Sequence, residues 1–79
     1  MSSIHERVNK VFQSVFENPA ISVERNTTAK DIEGWDSITH LTLITSVEEE
    51  FGQNFTGFEI MQFQNVGDML DLLEKKLNG

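Results

Sequence analysis

The chain has 79 residues, of which 6 are basic and 13 acidic, and its formal net charge is −7 at pH 7. A length of this order predicts one domain with a modest core and little room for a deep active site. The acidity disfavours binding to nucleic acid or to anionic membranes and favours partners with basic surfaces. The absence of cysteine excludes disulfides and thiolate metal ligands, which is typical of a reducing compartment.

The start of the sequence lacks the apolar core of a secretion signal. No apolar run approaches the roughly 20 residues that a membrane-spanning helix needs. We therefore expect a single domain over residues 1–79, located in the cytoplasm, without membrane insertion and monomeric.

The first predicted helix runs from about Ser3 to Glu17. Ser3 and Glu6 match the capping-box pattern at its start, and the proline that follows Asn18 is expected to end it. One face carries apolar residues at helical spacing: Ile4, Val8, Val11, Phe12, Val15 and Phe16.

Residues 18–36 are predicted to form an extended connection, with a short helical turn at residues 28–32. A loop of this length is unusual in so small a domain, and such loops often carry function.

The second predicted helix starts at Asp36 or Ser37 and runs to Phe51, with Gly52 as a left-handed cap. Its predicted inward stripe is Ile38, Leu41, Ile44, Val47 and Phe51.

Two further helices are predicted. The third is short and begins after Thr56, which forms a capping-box pattern with Glu59. Its apolar contacts are expected from Phe58, Ile60, Met61 and Phe63. The fourth begins after Asn65 and has Lys75 and Lys76 in its last turn, where positive charge suits the helix dipole. Its apolar face is Val66, Met69, Leu70, Leu73 and Leu77. Because no segment alternates like a strand, the predicted class is an all-α bundle of three main helices and one short helix.

The junction before the second helix is the most informative local pattern. Ser37 follows the segment Gly34-Trp35-Asp36 and opens an amphipathic helix. A helix N-terminus offers free N–H donors and a partial positive charge, which favour an anionic phosphate on Ser37 Oγ. Serine at this position is also a common helix cap, so the local pattern alone leaves both interpretations open.

The segment Asp36-Ser37-Ile38, followed by an apolar helix with an acidic end at residues 48–50, resembles the acyl carrier protein family. In that family an Asp-Ser-Leu or Asp-Ser-Ile motif opens the second helix, and the serine accepts phosphopantetheine from coenzyme A. Residues 55–60 and 66–73 resemble the third and final helices of the family, so the similarity covers nearly the whole chain.

The resemblance implies an acyl-carrier-like four-helix bundle without catalytic activity of its own. It implies a 4′-phosphopantetheine arm attached covalently to Ser37, with Asp36 helping the transferase to hold magnesium during attachment. The terminal thiol of the arm would hold acyl intermediates of fatty acid or polyketide synthesis as thioesters. The implied partners are a phosphopantetheinyl transferase and the enzymes that load and transfer the acyl group.

Two departures from the family point to a specialised pathway. Carriers of fatty acid synthesis usually have acidic residues early on the exposed face of the second helix, and here only residues 48–50 are acidic. Trp35 stands where that type usually has a small residue, and we expect it to pack over one end of the bundle. The predicted docking face for partner enzymes is Thr39, His40, Thr42 and Glu48.

Three other interpretations are weighed against this one. An aminoacyl or peptidyl carrier would also be a carrier protein, with a different cargo. That type has a Gly-Gly pair before the serine, and here only Gly34 is present. An acidic helical interaction module would have no prosthetic group. A hydrolytic triad of Ser37, His40 and Asp36 is disfavoured because the aspartate directly precedes the serine and is poorly placed to orient the histidine. No catalytic residue and no metal site are therefore predicted.

Overall fold

The computed structural model describes residues 3–78, and within this range the chain forms four α-helices and no strand. The helices are α1 (Ile4–Val15), α2 (Ser37–Phe51), α3 (Gly57–Met61) and α4 (Val66–Asn78). The predicted all-α class, with three main helices and one short helix, is confirmed. Of the domain predicted over residues 1–79, Met1, Ser2 and Gly79 lie outside the described residues. No helix in the described range is long and apolar enough to cross a membrane.

Predicted caps are present at three helix ends. Ser3 Oγ accepts a hydrogen bond from Glu6 N–H at the start of α1. Thr56 and Glu59 form both bonds of a capping box at the start of α3. Gly52 follows α2 with a φ of 64°, in the left-handed region where glycine is favoured. These ends were predictable because each cap depends on a few atoms close in sequence.

α1 ends at Val15, before the predicted end, and the reason differs from the one expected. Glu17 adopts a left-handed φ of 50°. Its N–H donates to Ser14 O, and Asn18 N–H donates to Gln13 O. These two bonds are the Schellman closure of a helix, so the helix is already complete before the proline is reached.

The core lies between α1, α2 and α4, and the long connection contributes to it. Ile21 and Val23 are buried, and the sequence analysis did not assign them to the core. The buried apolar cluster comprises Val8, Val11, Phe12, Ile21, Val23, Leu43, Ile44, Val47, Phe51, Phe55, Val66, Met69, Leu70 and Leu73.

Polar side chains of α1 hold the connection in place. His5, Asn9 and Gln13 are spaced four residues apart, so they lie along one side of the helix. Asn9 Oδ1 accepts from Val23 N–H (2.7 Å), and His5 Nε2 bonds to Val23 O. Gln13 Nε2 donates to Ile21 O at 3.0 Å. This polar ladder satisfies backbone groups that would otherwise be buried without partners.

The connection also caps α4. Val66 N–H donates to Thr27 O at 2.9 Å, and Gly67 N–H donates to Arg25 O at 2.7 Å. A Cβ on Gly67 would lie 2.8 Å from Arg25 O, so only glycine allows this approach. The residues that follow, 28–31, form a hydrogen-bonded turn in place of the predicted turn of helix.

The inward stripe of α2 differs from the predicted one. Ile38 and Leu41 were expected to face the core, but their side chains are 77% and 61% exposed. Leu43 is fully buried instead, next to Ile44. Both stripes fit the helical period, and packing against α1 and α4 selects the one that contains Leu43.

The predicted apolar contacts of α3 are only partly formed. Phe58 and Met61 are 71% and 85% exposed, whereas Ile60 and Phe63 are half-buried against the core. No residue of α3 itself is buried, because a five-residue helix is too short to turn all its apolar side chains inward. Leu77, in the last turn of α4, is likewise more exposed than its place in the predicted face suggests.

Candidate functional site

Ser37 is the first residue of α2, and its side chain is exposed. Within residues 3–78, no hydrogen bond holds its hydroxyl group. The position of Ser37 Oγ therefore depends on the backbone of the junction before α2.

Asp36 is the N-cap of α2. Its Oδ1 accepts hydrogen bonds from Ile38 N–H (2.9 Å) and Thr39 N–H (3.0 Å). The bond from Thr39 N–H is the main cause that lowers the pKa of Asp36; desolvation opposes it and the bond from Ile38 N–H adds to it. The carboxylate is therefore ionised near neutral pH.

These bonds correct one expectation about phosphate at the helix start. Free N–H donors were predicted to favour a phosphate on Ser37, but the N–H groups of Ile38 and Thr39 already donate to Asp36. His40 N–H donates to Asp36 O. The dipole of α2 remains as the favourable electrostatic contribution at this position.

Thr39, in the first turn of α2, bonds to the backbone that precedes the helix. Its Oγ1 accepts from Asp36 N–H and donates to Gly34 O, both at 2.7 Å. Gly34 has a φ of 91°, a backbone conformation that side-chain-bearing residues rarely adopt. Thr39 was predicted to lie on the docking face, and its hydroxyl group is engaged in bonds within the chain.

Trp35 and His40 form a hydrogen-bonded pair beside Ser37. Trp35 Nε1–H donates to His40 Nδ1 at 3.0 Å, so Nδ1 is the acceptor nitrogen of the imidazole. The indole packs edge-on against Phe12 at 5.2 Å between ring centroids and also contacts Phe16. The prediction that Trp35 packs over the bundle is confirmed.

A cavity of about 500 Å³ opens next to Ser37, between the start of α2, α3 and the start of α4. Its walls are mostly apolar or aromatic, and their polar groups are amides, an imidazole, a hydroxyl group and a carboxylate. The lining residues are Ala29, Trp35, Asp36, Ser37, His40, Ile60, Met61, Phe63, Gln64, Asn65 and Met69.

The other predicted docking residues do not share one exposed face. Thr42 is exposed. Glu48 is half-buried, and its Oε2 accepts from Phe55 N–H (2.8 Å), which ties the segment before α3 to α2. At the acidic end of α2, Glu50 pairs with Arg7 at 2.8 Å.

The exposed apolar groups around Ser37 were not predicted from the sequence. Ile38 and Leu41 flank it on α2, and Met61 lines the same cavity from α3. Residues 37–47 contain no Asp, Glu, Lys or Arg, and this charge-free run was the signal available in the sequence.

Residues 6–73 match the family described as "Phosphopantetheine attachment site". A solution NMR structure of a holo acyl carrier protein from Geobacter metallireducens superposes with a TM-score of 0.88. The two sequences are 37% identical, and the match covers 99% of this chain and 88% of that one. This chain belongs to the phosphopantetheine-attachment family of acyl carrier proteins. The predicted resemblance, the carrier class and the 4′-phosphopantetheine cofactor are confirmed.

The surroundings of Ser37 fit such an arm. Attachment requires a hydroxyl that another enzyme can reach, and Ser37 is exposed at the head of α2. The adjoining cavity provides space for part of a flexible chain, and its apolar walls suit alkyl groups. When bound, the arm supplies a terminal thiol for acyl transfer, while the chain's own residues supply the attachment point and its orientation.

Proposed function

We propose that Ser37 is the attachment residue of this acyl carrier, and that the protein presents acyl groups to partner enzymes without catalysing their reactions. The supporting observation is the position of Ser37: an exposed serine at the N-terminus of α2, beside a cavity with mostly apolar walls. Its cytoplasmic location remains a prediction from the sequence.

Attachment is a phosphoryl transfer to Ser37. The Oγ–H bond breaks and a bond forms between Oγ and the phosphorus of the phosphopantetheine group. The bond from that phosphorus to the bridging oxygen of the coenzyme A pyrophosphate breaks, and the adenosine bisphosphate part leaves with this oxygen. The proton of the hydroxyl group passes to a base of the transferase. Since the hydroxyl group has no partner within residues 3–78, no intramolecular bond must break first.

Asp36 is suited to assist this step. Its Oδ1 accepts from Ile38 N–H and Thr39 N–H and lies 3.2 Å from Thr39 Oγ1, which leaves Oδ2 without a partner among the described residues. The lowered pKa keeps the group ionised. A carboxylate oxygen free to bind magnesium, the hard cation that prefers oxygen ligands, fits the role that the family resemblance implies.

The contacts around Ser37 oppose the hydrolytic alternative. In a Ser-His-Asp triad the aspartate bonds to the imidazole and fixes its tautomer. Here Trp35 bonds to His40 Nδ1, and the Asp36 carboxylate bonds to backbone N–H groups of α2. The two groups are thus engaged separately, which supports a carrier without its own catalysis.

We place partner docking on the exposed side of α2 next to Ser37. An enzyme that reaches Ser37 must contact the surface around it, and Ile38, Leu41 and Thr42 provide exposed groups there. Of the four residues predicted from the sequence, Thr42 belongs to this surface. The partners proposed are the phosphopantetheinyl transferase and the enzymes that load and transfer acyl groups.

The attachment site is tested by intact mass after incubation with coenzyme A, magnesium and a broad-specificity phosphopantetheinyl transferase. We expect a gain of one phosphopantetheine in the wild type and none in Ser37→Ala. Ser14→Ala, which removes an exposed serine of α1, is the matched control and should be modified normally. A folded wild-type protein without the gain would refute the proposal and favour an interaction module without a prosthetic group.

The docking surface is tested with Leu41→Ala in the same reaction. We expect the KM for the carrier to rise about tenfold, because a partly desolvated leucine is worth roughly 1–2 kcal/mol at an interface. Leu77→Ala removes another exposed leucine, from the end of α4, and should leave KM unchanged. Equal KM values for Leu41→Ala and the wild type would place docking elsewhere.

A further inference from the structure

The backbone that carries Ser37 is held by few bonds. In the three residues before it, Trp35 N–H donates to Ile32 O at 3.3 Å, a long bond. Asp36 O accepts the first backbone bond of α2, from His40 N–H at 2.8 Å. Two other short bonds, from Asp36 N–H and to Gly34 O, are both 2.7 Å and both involve the hydroxyl group of Thr39. The Thr39 side chain therefore joins the backbone at Gly34 and Asp36 to the first turn of α2, beside the side-chain bond from Trp35 Nε1–H to His40 Nδ1.

The conformation of the junction makes this hydroxyl group important. Gly34 has a φ of 91° and its exposed Cα has no side chain to hold it against the bundle. Asp36 has an extended backbone, with φ of −125° and ψ of −168°, so the chain changes direction between these residues and the helix. Without Thr39 Oγ1, Gly34 O and Asp36 N–H would both lose their partner.

Thr39 also acts on the carboxylate beside Ser37. Its backbone N–H donates to Asp36 Oδ1 at 3.0 Å, and its Oγ1 lies 3.2 Å from the same oxygen. Asp36 is thereby fixed with Oδ1 toward the helix. The orientation of Asp36 and the path of the chain into Ser37 depend on the same residue.

We propose that Thr39 is a positioning residue for phosphopantetheine attachment: its hydroxyl group fixes the direction in which Ser37 and Asp36 are presented to the transferase. This inference rests on the proposed role of Ser37. It replaces the prediction that Thr39 contacts partner enzymes directly, because a group that bonds to Gly34 O and Asp36 N–H within the chain is engaged before any partner binds.

The test compares Thr39→Val, which keeps the shape but loses the hydroxyl group, with Thr39→Ser, which keeps the hydroxyl group. We expect Thr39→Val to lower kcat of attachment about tenfold, because without this hydroxyl group Ser37 Oγ is less often held in the direction of attack. KM should stay unchanged, since the interaction is not made with the transferase. Thr39→Ser should keep kcat within about twofold of the wild type.

A second measurement reports on the junction itself. Hydrogen exchange at Asp36 N–H should be slow in the wild type and in Thr39→Ser, and fast in Thr39→Val, because only the last variant lacks the acceptor. The matched control is Thr56→Val, which breaks the capping box of α3 by the same chemical change. It should destabilise the domain without changing kcat or the exchange of Asp36 N–H.

The outcomes separate this inference from the proposal it rests on. Modification of Ser37→Ala would overturn both. Normal modification at Ser37 with an unchanged kcat in Thr39→Val would overturn the positioning role alone. A rise in KM with kcat unchanged would show that Thr39 contacts the transferase, and an equal loss of kcat in Thr56→Val would show a general effect of stability.

Discussion

The two sides of the bundle are built differently. On the side of α1, the connection is bonded to helical side chains, its residues Ile21 and Val23 are buried, and its carbonyl groups cap α4. On the side of α3, the helix has no buried residue, and Phe58 and Met61 are largely exposed. Ser37 opens toward the second side.

The difference shows which side of this small domain has the higher local stability. Regions with many buried contacts open only near the global free energy of unfolding, whereas regions with few such contacts open more readily. The α1 side forms the stable frame. The α3 side leaves apolar surface accessible around Ser37, the proposed attachment residue.

The largest expected effect comes from the core of α2. Leu43→Ala should lower the free energy of unfolding by about 2–5 kcal/mol, because it removes a fully buried side chain and leaves a cavity. Leu41→Ala, two residues away, should change it by less than about 0.5 kcal/mol. Urea unfolding measures both, and equal losses would show that α2 is rotated differently.

The glycines of α3 and α4 sharpen the comparison. Gly67→Ala should destabilise the domain by about 2 kcal/mol, since the new Cβ would lie 2.8 Å from Arg25 O. Gly57→Ala meets no atom within 4 Å and should stabilise it by up to about 1 kcal/mol. Opposite signs in thermal or urea unfolding are expected; the same sign for both would contradict the tight capping of α4.

Asn9→Ala tests the polar ladder. The buried N–H of Val23 would lose its acceptor, so we expect a loss of about 1–2 kcal/mol in the free energy of unfolding. Asn54→Ala removes an exposed asparagine between α2 and α3 and should have almost no effect. If the two substitutions cost the same, the connection is not held by α1 in the way described.

The smallest expected effect is on the stability of the fold at low pH. The hydrogen bond from Thr56 N–H is the main cause that lowers the pKa of Glu59; desolvation opposes it, and Lys76 at 3.2 Å lowers it further. A carboxyl group whose pKa is lowered by folding stabilises the fold above its unfolded pKa, about 4.3 for Glu. That contribution is lost as the pH falls through the folded value.

We therefore expect Glu59→Gln to reduce the difference between urea midpoints measured at about pH 7 and about pH 3. Glu49→Gln, at an exposed position of α2, is the control and should leave that difference unchanged. An identical pH dependence in Glu59→Gln and the wild type would mean that the charge of Glu59 adds nothing to stability.

Capping explains which helix ends were predictable. Ser3, Gly52 and Thr56 act on backbone groups within a few residues, so their roles can be read from local sequence. The end of α1 was misjudged because Glu17 adopts a left-handed conformation that glycine or asparagine usually takes.

The face of α2 that points toward the core could not be predicted from the residues of the helix alone. A stripe through Leu43 places His40 at a half-buried position, and a polar residue by itself does not indicate burial. The bond from Trp35 makes this position acceptable, because it gives the imidazole a partner. Such a bond between a loop and a helix has no signature in hydrophobic periodicity.

The same limit applies to the site. The prediction that Ser37 carries the arm came from the family resemblance. The exposed side chain of Ser37 is consistent with it. The role of Thr39 depends on the path of the backbone at Gly34 and Asp36, which no spacing rule describes.

The polar ladder of α1 has a consequence for the order of folding. Its bonds join residues only 8 to 18 positions apart, whereas the ion pairs Arg7–Glu50 and Arg25–Asp71 span 43 and 46 positions. Closing short loops costs less chain entropy. We therefore expect α1 and the connection to fold first, with a φ-value for Asn9→Ala above that for Leu43→Ala. In a chain that emerges from the ribosome, α1 and the connection would then form before α4. The carbonyl groups of Arg25 and Thr27 would already be in position to accept hydrogen bonds from the first N–H groups of α4.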